Sequence, residues 1–196
     1  RAVDGAARHL QVMNDLLSHR GPDDEGIWLH DNGHVGLGHR RLSIIDLESG
    51  QQPMTSPAGN VVSYNGEIYN YLELREQLKP YPFRTPSDTE VLLAAYEKWG
   101  TACVDHLQGM FAFAIWDERK NLLFCARDRF GIKPFYYTVV GQHLYLASEP
   151  KALLPFMPEI ATDIEGLKEY IIFQLCLDGR TLFKDIHQLR PGQRLI

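Results

Sequence analysis

Four polar segments of the sequence carry side chains that could bind a charged ligand, and each is flanked by hydrophobic stretches. Three of them contain glycine, which allows a backbone N–H group to approach a ligand closely. The four segments are residues 18–23 (SHRGPD), 38–46 (GHRRLSIID), 64–70 (YNGEIYN) and 87–90 (SDTE). They supply arginines, carboxylates and an Asn-Gly pair, a combination that suits a ligand with charges of both signs.

A zwitterionic amino acid with a side-chain amide fits these residue types. Arginine can bind a carboxylate through two charge-assisted hydrogen bonds, and Glu or Asp side chains can bind an ammonium group. Asn65 and Gly66 could donate a side-chain and a backbone N–H to the oxyanion that forms when an amide is attacked. Each part also has an ordinary explanation, because Asn-Gly pairs usually form turns and most arginines are solvated. The residues alone leave both interpretations open.

The elements that position these segments are predicted from hydrophobic periodicity and from the residues that end helices. The predicted helices cover residues 3–17, 68–78, 87–99, 150–154 and 164–173. The predicted strands cover residues 26–29, 35–40, 61–64, 110–116, 122–126, 135–140 and 143–147. Ser87 or Asp88 is the expected N-cap of its helix, and Glu90 is placed to complete a capping box with Ser87.

The middle of the chain predicts a buried hairpin. Residues 110–116 and 122–126 are nearly unbroken apolar runs joined by a polar turn, which indicates strands covered on both faces. The tail from residue 189 reads as a turn that enters a strand. Since no repeat or linker interrupts the pattern, residues 1–196 are predicted to form one α+β domain built in layers.

Composition excludes several functional classes. The formal net charge is −5 and no long basic run occurs, which argues against a nucleic-acid partner. No apolar stretch approaches the roughly 20 residues of a membrane span. The three cysteines lack metal-type spacing, and an odd number of thiols is most simply explained by a reducing cytoplasmic setting.

The motifs, taken in order along the whole chain, resemble one known family. They are HRGPD, HRRLSIIDL, QPM, YNGEIYN, SDTE, LQGMFAFAIWD, ARDRFGIKPFYY and ASEPKAL. Together they resemble the class II glutamine amidotransferase domain of glutamine-hydrolysing asparagine synthetases. The resemblance implies the fold of the N-terminal-nucleophile hydrolases, a four-layer αββα sandwich of two mainly antiparallel sheets between helical layers.

The resemblance also implies the roles of individual residues in a glutamine pocket. Asn65 and Gly66 would form the oxyanion hole, and Glu67 and Asp88 would receive the substrate ammonium. Asp88 would also cap its helix. Arg41 would bind the substrate carboxylate, and the pocket would be lined, partly by backbone groups, by Leu42, Ser43, Ile44 and Ile45.

The family's nucleophile, a cysteine at the mature N-terminus, has no counterpart at residue 1, which is Arg1. The family has a strand before its first helix, and that strand with its cysteine is expected to precede the sequence given. Cys103, Cys125 and Cys176 are not plausible replacements, because nothing marks any of them as a thiol of low pKa. Loss of the first residues is favoured over a natural form without the nucleophile, since deleting a central strand exposes unpaired backbone groups.

Asparagine synthetases continue into an ATP-pyrophosphatase domain that would be the partner of this domain within one longer chain. No cofactor or metal is expected in residues 1–196, and ATP and Mg²⁺ are expected to act in the second domain. The resemblance implies glutamine as substrate and suggests a homodimer, with no nucleic acid and no membrane. Two alternatives stay open: the same module attached to another ATP-dependent amide-forming synthetase, and a non-catalytic pseudo-amidotransferase that acts as an interaction domain.

Overall fold

A computed structural model describes residues 5–42 and 50–196, in which runs of strands are separated by helices. The helices are α1 (Ala6–Leu16), α2 (Tyr71–Gln77), α3 (Asp88–Trp99) and α4 (Ile164–Phe173). The strands are β1 (Asp24–Leu29), β2 (Gly36–Arg41), β3 (Met54–Thr55), β4 (Val61–Ile68), β5 (Gly109–Asp117), β6 (Leu122–Arg127), β7 (Tyr136–Val140), β8 (His143–Ala147), β9 (His187–Gln188) and β10 (Arg194–Leu195). Short 3-10 helices occur at Ser18–Arg20, Gly100–Asp105, Pro150–Ala152 and Leu154–Phe156.

The strands form three antiparallel sheets. The largest has five strands in the order β10-β6-β5-β4-β3, and β1-β2 and β8-β7-β9 form two smaller sheets. The long apolar strands β4, β5 and β6 are adjacent at the centre of the largest sheet, and the predicted hairpins pair as expected. The tail also forms a strand, because β10 pairs with β6 at Ala126 and Cys125.

The two faces of the five-stranded sheet are covered by different layers. Alternate side chains of β5 and β6, such as Phe113 and Phe124, pack with helix α3 in the larger hydrophobic core. Their neighbours Ala114 and Cys125 point to the opposite face and pack with residues of the small sheets. The hairpin is therefore covered on both faces, and its unbroken apolar sequence follows from this double coverage.

The remaining layer is helix α1, which packs on β1 and β2. Met13 of α1 also contacts Ala152 and Leu153, so the same helix reaches over toward β7 and β8. The order of layers is then α2 and α3, the five-stranded sheet, the two small sheets, and α1. This arrangement is the predicted αββα sandwich. Among the described residues, no helix is long and apolar enough to cross a membrane.

Some predicted boundaries were wrong. Strand β4 does not stop at Asn65-Gly66 but pairs with β5 through Ile68, so the Asn-Gly pair lies within a strand and not in a turn. Helix α2 consequently begins at Tyr71 and not at residue 68. The helix predicted at residues 150–154 is two 3-10 turns, because Pro155 lacks the N–H that a continuous helix needs.

The cap of α3 differs in one respect from the prediction. The Ser87 side chain accepts a hydrogen bond from Thr89 N and is the N-cap, so Asp88 is the first helical residue and not the cap. The predicted return bond of the capping box is not formed by Glu90. Its carboxylate accepts hydrogen bonds from the backbone of Arg84 and Thr85, which fixes the loop before the helix.

Candidate functional site

A cavity of about 1040 Å³ lies in the layer between the five-stranded sheet and α1. Its flanks are β2 and β8, and its floor is formed by β4 and β5. Strand β2 pairs only with β1, and β8 pairs only with β7, so each presents an edge without a partner strand within residues 5–42 and 50–196. The cavity brings together the predicted site residues Arg41, Leu42, Asn65, Gly66, Glu67 and Asp88.

Along the edge of β4 that faces away from β5, the backbone groups bond partly to a strand and partly to side chains. Met54 pairs with Val62 through the main chain, but two residues further along β4 the partner is a side chain. The Gln52 amide accepts from Tyr64 N at 2.6 Å and donates to Tyr64 O at 3.0 Å. At the end of the strand, the Asp88 carboxylate accepts from Ile68 N at 3.0 Å.

Gly66 lies between these two side-chain partners, and its N–H faces the opening between them. Phe111 lies opposite Gly66 on β5. Its N–H donates to the Asp128 carboxylate and its C=O accepts from Asp128 N, so neither group forms a hydrogen bond with Gly66. Among the described residues the Gly66 N–H has no acceptor. A side chain at this position is excluded by packing, because an added Cβ would lie 2.2 Å from Met110 O. The strand therefore presents one open backbone donor at a glycine.

Asn65 and Glu67 project from the face of β4 that points toward the cavity, opposite to the face that packs on α3. No hydrogen bond links either side chain to another part of the described chain, although the amides of Asn14, Asn60 and Asn70 all form such bonds. Asn65 is half-buried and lines the cavity beside Gly66. An amide donor, a backbone donor and a carboxylate thus lie on three successive residues.

Asp88 is held at the cavity rim by two donors to the same oxygen. Tyr64 Oη donates to Asp88 Oδ2 at 2.8 Å, in addition to the bond from Ile68 N. Burial and the adjacent Asp88 charge raise the pKa of Tyr64 well above its ordinary value, so the phenol stays a donor. The second carboxylate oxygen makes no hydrogen bond with the residues that the structure describes, which leaves it available to a ligand.

Arg41 ends strand β2, and its backbone carbonyl accepts a hydrogen bond from Asp23 N at 3.1 Å. Its guanidinium lies beside Gly50, where an added Cβ would be 2.8 Å from Nη2. Leu42 follows Arg41 and is 56% exposed. The other predicted pocket residues, Ser43, Ile44 and Ile45, lie outside the described residues.

Comparison with known proteins decides the family. A model of the glutamine amidotransferase domain matches residues 2–196. The chain belongs to the glutamine amidotransferase domain family. Two Bacillus subtilis proteins named glutamine-hydrolysing asparagine synthetase, numbers 1 and 3, are each 46% identical to it. They are matched over 94% and 95% of this chain but over only 29% and 31% of their own length.

A relative from Gibberella zeae named amidase chry2 is 43% identical to this amidotransferase domain over 95% of the chain and 28% of its own length. The chain thus spans about a third or less of these relatives, and the match lies in the amino-terminal part of the asparagine synthetases.

Two solved structures share the fold. Glutamine phosphoribosylpyrophosphate amidotransferase from B. subtilis superimposes with a TM-score of 0.57 and 23% identity, covering 74% of this chain and 40% of the other. An allosteric regulatory enzyme of purine biosynthesis superimposes with a TM-score of 0.67 and 18% identity, covering 98% of this chain and 44% of the other. At these identities the likeness shows the fold of the amidotransferase domain alone.

Two residues of the amidotransferase site were missed by sequence reasoning. Gln52, in the QPM motif, shapes the edge of β4, but no sequence signal distinguishes an amide that replaces a strand from a surface amide. His39 lines the cavity with Nδ1 3.4 Å from Ser63 Oγ. Burial and the nearby Arg41 charge lower the pKa of His39 to about 4, so its imidazole is neutral at pH 7.

The three cysteines of the chain lie away from the cavity. Burial raises the pKa of the Cys103 and Cys125 thiols to about 12, and the pKa of Cys176 is also raised, mainly by burial. None lines the cavity, so none is placed to act as a thiolate there. In residues 5–42 and 50–196 no group of three or more His, Cys, Asp or Glu side chains could hold a metal ion.

Proposed function

We propose that this domain binds glutamine in the cavity and hydrolyses its side-chain amide within a longer protein. The observation that carries the proposal is the pair of unused donors at Asn65 and Gly66. They adjoin a cavity that also contains an available carboxylate oxygen of Asp88 and the unpaired Glu67. Buried or half-buried polar groups are normally hydrogen-bonded, so a cluster of unused ones at a cavity supports a ligand site.

The charges of the site match the two ends of an amino acid. Glu67 and Asp88 would receive the ammonium group, and Arg41, at the end of β2, would bind the carboxylate. Glutamine held in this way would lie across the Asn65–Gly66 edge of β4. Neutral His39 would add no positive charge to the site at pH 7.

The nucleophile would be a cysteine on a strand that precedes the residues given. The gap between the unpaired edges of β2 and β8 supports this position, because a strand placed there would join the two small sheets and lie over Asn65. Its thiolate would attack the amide carbon, and the resulting oxyanion would accept hydrogen bonds from Gly66 N and the Asn65 amide. The C–N bond would then break as the amide nitrogen takes up the proton given up by the cysteine thiol and leaves as ammonia, and water would hydrolyse the thioester to glutamate and restore the thiol.

The whole protein is proposed to be an asparagine synthetase, supported by the names of the two B. subtilis relatives and by the share of their length that this chain spans. A cytoplasmic location and a homodimer are proposed with it. ATP and Mg²⁺ would act in its carboxyl-terminal domain, where aspartate would be activated to receive the ammonia. Residues 5–42 and 50–196 would supply no ligand to either.

The experiment is glutamine hydrolysis by the full-length protein with Asn65→Ala. Loss of one oxyanion donor typically lowers kcat about 10²- to 10³-fold, and KM is expected to change little because the bond forms mainly in the transition state. Asp88→Asn is expected to raise KM instead, since it removes a charge that binds the substrate ammonium.

The matched control is Asn32→Ala, which removes an exposed amide from the turn between β1 and β2. Its kcat and KM are expected to equal those of the unaltered protein. An Asn65→Ala variant with unchanged kcat would reject the assignment of the oxyanion hole, provided that the unaltered protein hydrolyses glutamine. A full-length protein with its native N-terminus that neither binds nor hydrolyses glutamine would reject the proposed function itself.

A further inference from the structure

The last turn of helix α4 exposes a run of large apolar side chains. Ile171 and Ile172 are 66% and 69% exposed, and the next residue, Phe173, is more than half exposed. Gly166 is the buried residue of this helix, held against Thr181 O. Since contiguous exposed apolar side chains are uncommon on a monomeric protein, this helix end fits a surface that another part of a protein covers.

The loop between β6 and β7 exposes a second pair of large apolar side chains. Phe130 is 83% exposed and Ile132 is 57% exposed. The loop beneath them is nevertheless rigidly supported. The fully buried Asp128 carboxylate accepts four backbone N–H groups, from Phe111, Phe130, Ile132 and Lys133. These hydrogen bonds hold Phe130 in a fixed position. Binding a partner there would therefore cost little additional conformational entropy.

Arg127 completes the support by donating to three carbonyl groups of the surrounding chain. Its guanidinium bonds to the backbone oxygens of Gly131, Lys133 and Leu189, at 2.6 to 2.7 Å. The last of these bonds ties the loop to the turn before β10. The loop and that turn therefore form one rigid unit.

The turn at residues 188–192 contacts the loop between β6 and β7 and also the segment that follows α4. Its Gly192 N donates to Asp128 O, and Pro191 lies against Gly131. On its other side, Gln188 N donates to Gly179 O, next to the segment that follows α4. The same turn leads directly into β10, the last strand described. The two apolar segments are thus linked through the part of the chain that leads toward the carboxyl-terminal end.

We infer that Phe130, Ile132, Ile171 and Ile172 form a docking surface for the part of the polypeptide that follows residue 196 in the full-length protein. This inference rests on the proposed function, which makes the domain the amino-terminal part of a longer chain. The B. subtilis relatives extend this domain by more than twice its own length, which supplies a covalently linked occupant. A covalently attached partner is present at high effective concentration, so even a modest apolar surface binds it.

The surface is also connected to the glutamine cavity. Lys133 and Pro134 follow Ile132 directly and line the cavity, so the loop extends from the docking surface to the cavity wall. The loop would therefore connect the docked part of the chain to the wall of the glutamine cavity, and its internal bonds would keep that wall in place without docking. Disruption of the surface is expected to uncouple the two domains without removing any group that contacts glutamine.

The first test is photo-crosslinking of the full-length protein with p-benzoylphenylalanine in place of Phe130 or Ile172. Val139 on β7, which is 62% exposed, is the matched control position. Crosslinks from positions 130 and 172 are expected within one chain, to peptides that follow residue 196, and none is expected from position 139. No crosslink from positions 130 and 172, or crosslinks only between two copies of the chain, would overturn the proposal.

The second test measures activity in the full-length Phe130→Ser/Ile172→Ser double variant, with Val139→Ser as control. Product formation driven by glutamine is expected to fall about tenfold, the effect of losing apolar anchors of an interface. Glutamine hydrolysis and synthesis from added ammonia are expected to stay within about twofold. Equal glutamine-driven synthesis in both variants would contradict the inference. Because the crosslinks do not depend on activity, a protein without glutaminase activity would reject the proposed function and leave the docking test intact.

Discussion

The two faces of the five-stranded sheet are formed by alternate residues of the same strands, yet they meet different surroundings. On the face toward α3, side chains such as Phe124 and Ile115 are fully buried in the larger core. On the other face, Asn65 and Glu67 border a cavity and keep polar groups without partners. The comparison separates two demands, because one face stabilises the fold while the other keeps binding groups available.

This separation explains how a strand can carry unused hydrogen-bonding groups without loss of the fold. The backbone of β4 is fixed by β5 and by the buried side chains of Val62 and Ile68. The unsatisfied groups at Asn65 and Gly66 cost free energy, but that cost is offset by packing on the opposite face. Substitutions on the two faces should accordingly differ in both size and kind of effect.

The largest expected effect is that of Phe124→Ala, on the packed face. Removal of a fully buried aromatic ring leaves a cavity that should lower the free energy of unfolding by about 3–5 kcal/mol. Its neighbour Cys125 points to the other face, and Cys125→Ala removes only one sulfur atom, for about 1 kcal/mol. Urea unfolding of both variants measures the difference, and equal losses would contradict the asymmetry of the two faces.

Asp128→Asn should cost about 3 kcal/mol, because all four backbone donors would lose a charged acceptor and two of them would face an amide NH2 group instead of an oxygen. Burial opposes ionisation of Asp128, but the backbone donors outweigh it and hold its pKa below the ordinary value. The stabilisation is therefore present above pH 4 and is lost as pH falls through the lowered pKa. Thermal unfolding at pH 7 checks the loss, with exposed Asp31→Asn as the control that should change nothing.

His39 should make stability depend on pH between about 6.5 and 4. Burial and Arg41 lower its pKa to about 4, whereas in the unfolded chain it takes up a proton near pH 6.5. As pH falls through this window the unfolded state gains the proton first, so stability drops by on the order of 2 kcal/mol. His39→Gln should remove this drop in urea unfolding at pH 7 and pH 4.5. His34→Gln, at an exposed histidine, should retain it.

The smallest expected effect compares two tyrosines on the α3 side of the sheet whose carboxylate acceptors lie in different surroundings. Tyr64 Oη bonds to Asp88 at the cavity rim, and Tyr96 Oη bonds to Asp117 inside the packed region, both at 2.8 Å. Tyr64→Phe should cost about 1 kcal/mol, since water in the cavity can replace the lost donor. Tyr96→Phe should cost about 2 kcal/mol, because Asp117 is buried. Urea unfolding measures both losses in the free energy of unfolding. A larger loss for Tyr64→Phe would show that water does not replace the lost donor at the cavity rim.

The sequence predicted the elements well where hydrophobic periodicity is strong. The apolar hairpin at β5 and β6, helix α3 and helix α4 all lie where expected, because burial of their side chains is a local property of the pattern. The prediction failed at Asn65-Gly66, which local preference assigns to a turn. Pairing with β5 overrides that preference, and pairing between residues more than 40 positions apart leaves no local signal.

The candidate site was predicted only through resemblance of its motifs to a family. The described site residues do line one cavity, but the roles of Arg41, Asn65, Glu67 and Asp88 stay predictions until activity is measured. The contact of Asp88 with Ile68 N and Tyr64 could not be inferred, because helix-cap rules favour a local partner for such a residue. Local rules do not describe a carboxylate that turns away from its own helix.

Gln52 has a consequence for how the open donor of Gly66 could be altered. Its side chain occupies the register of a main-chain partner, so the edge of β4 is continued for one residue pair by an amide and not by a strand. The Gln52 side chain therefore spans the distance between its own backbone and Tyr64, next to the open N–H of Gly66. Exchange of Gln52 for a shorter or longer residue would change the size of that opening in single-methylene steps, while the sheet itself keeps its register.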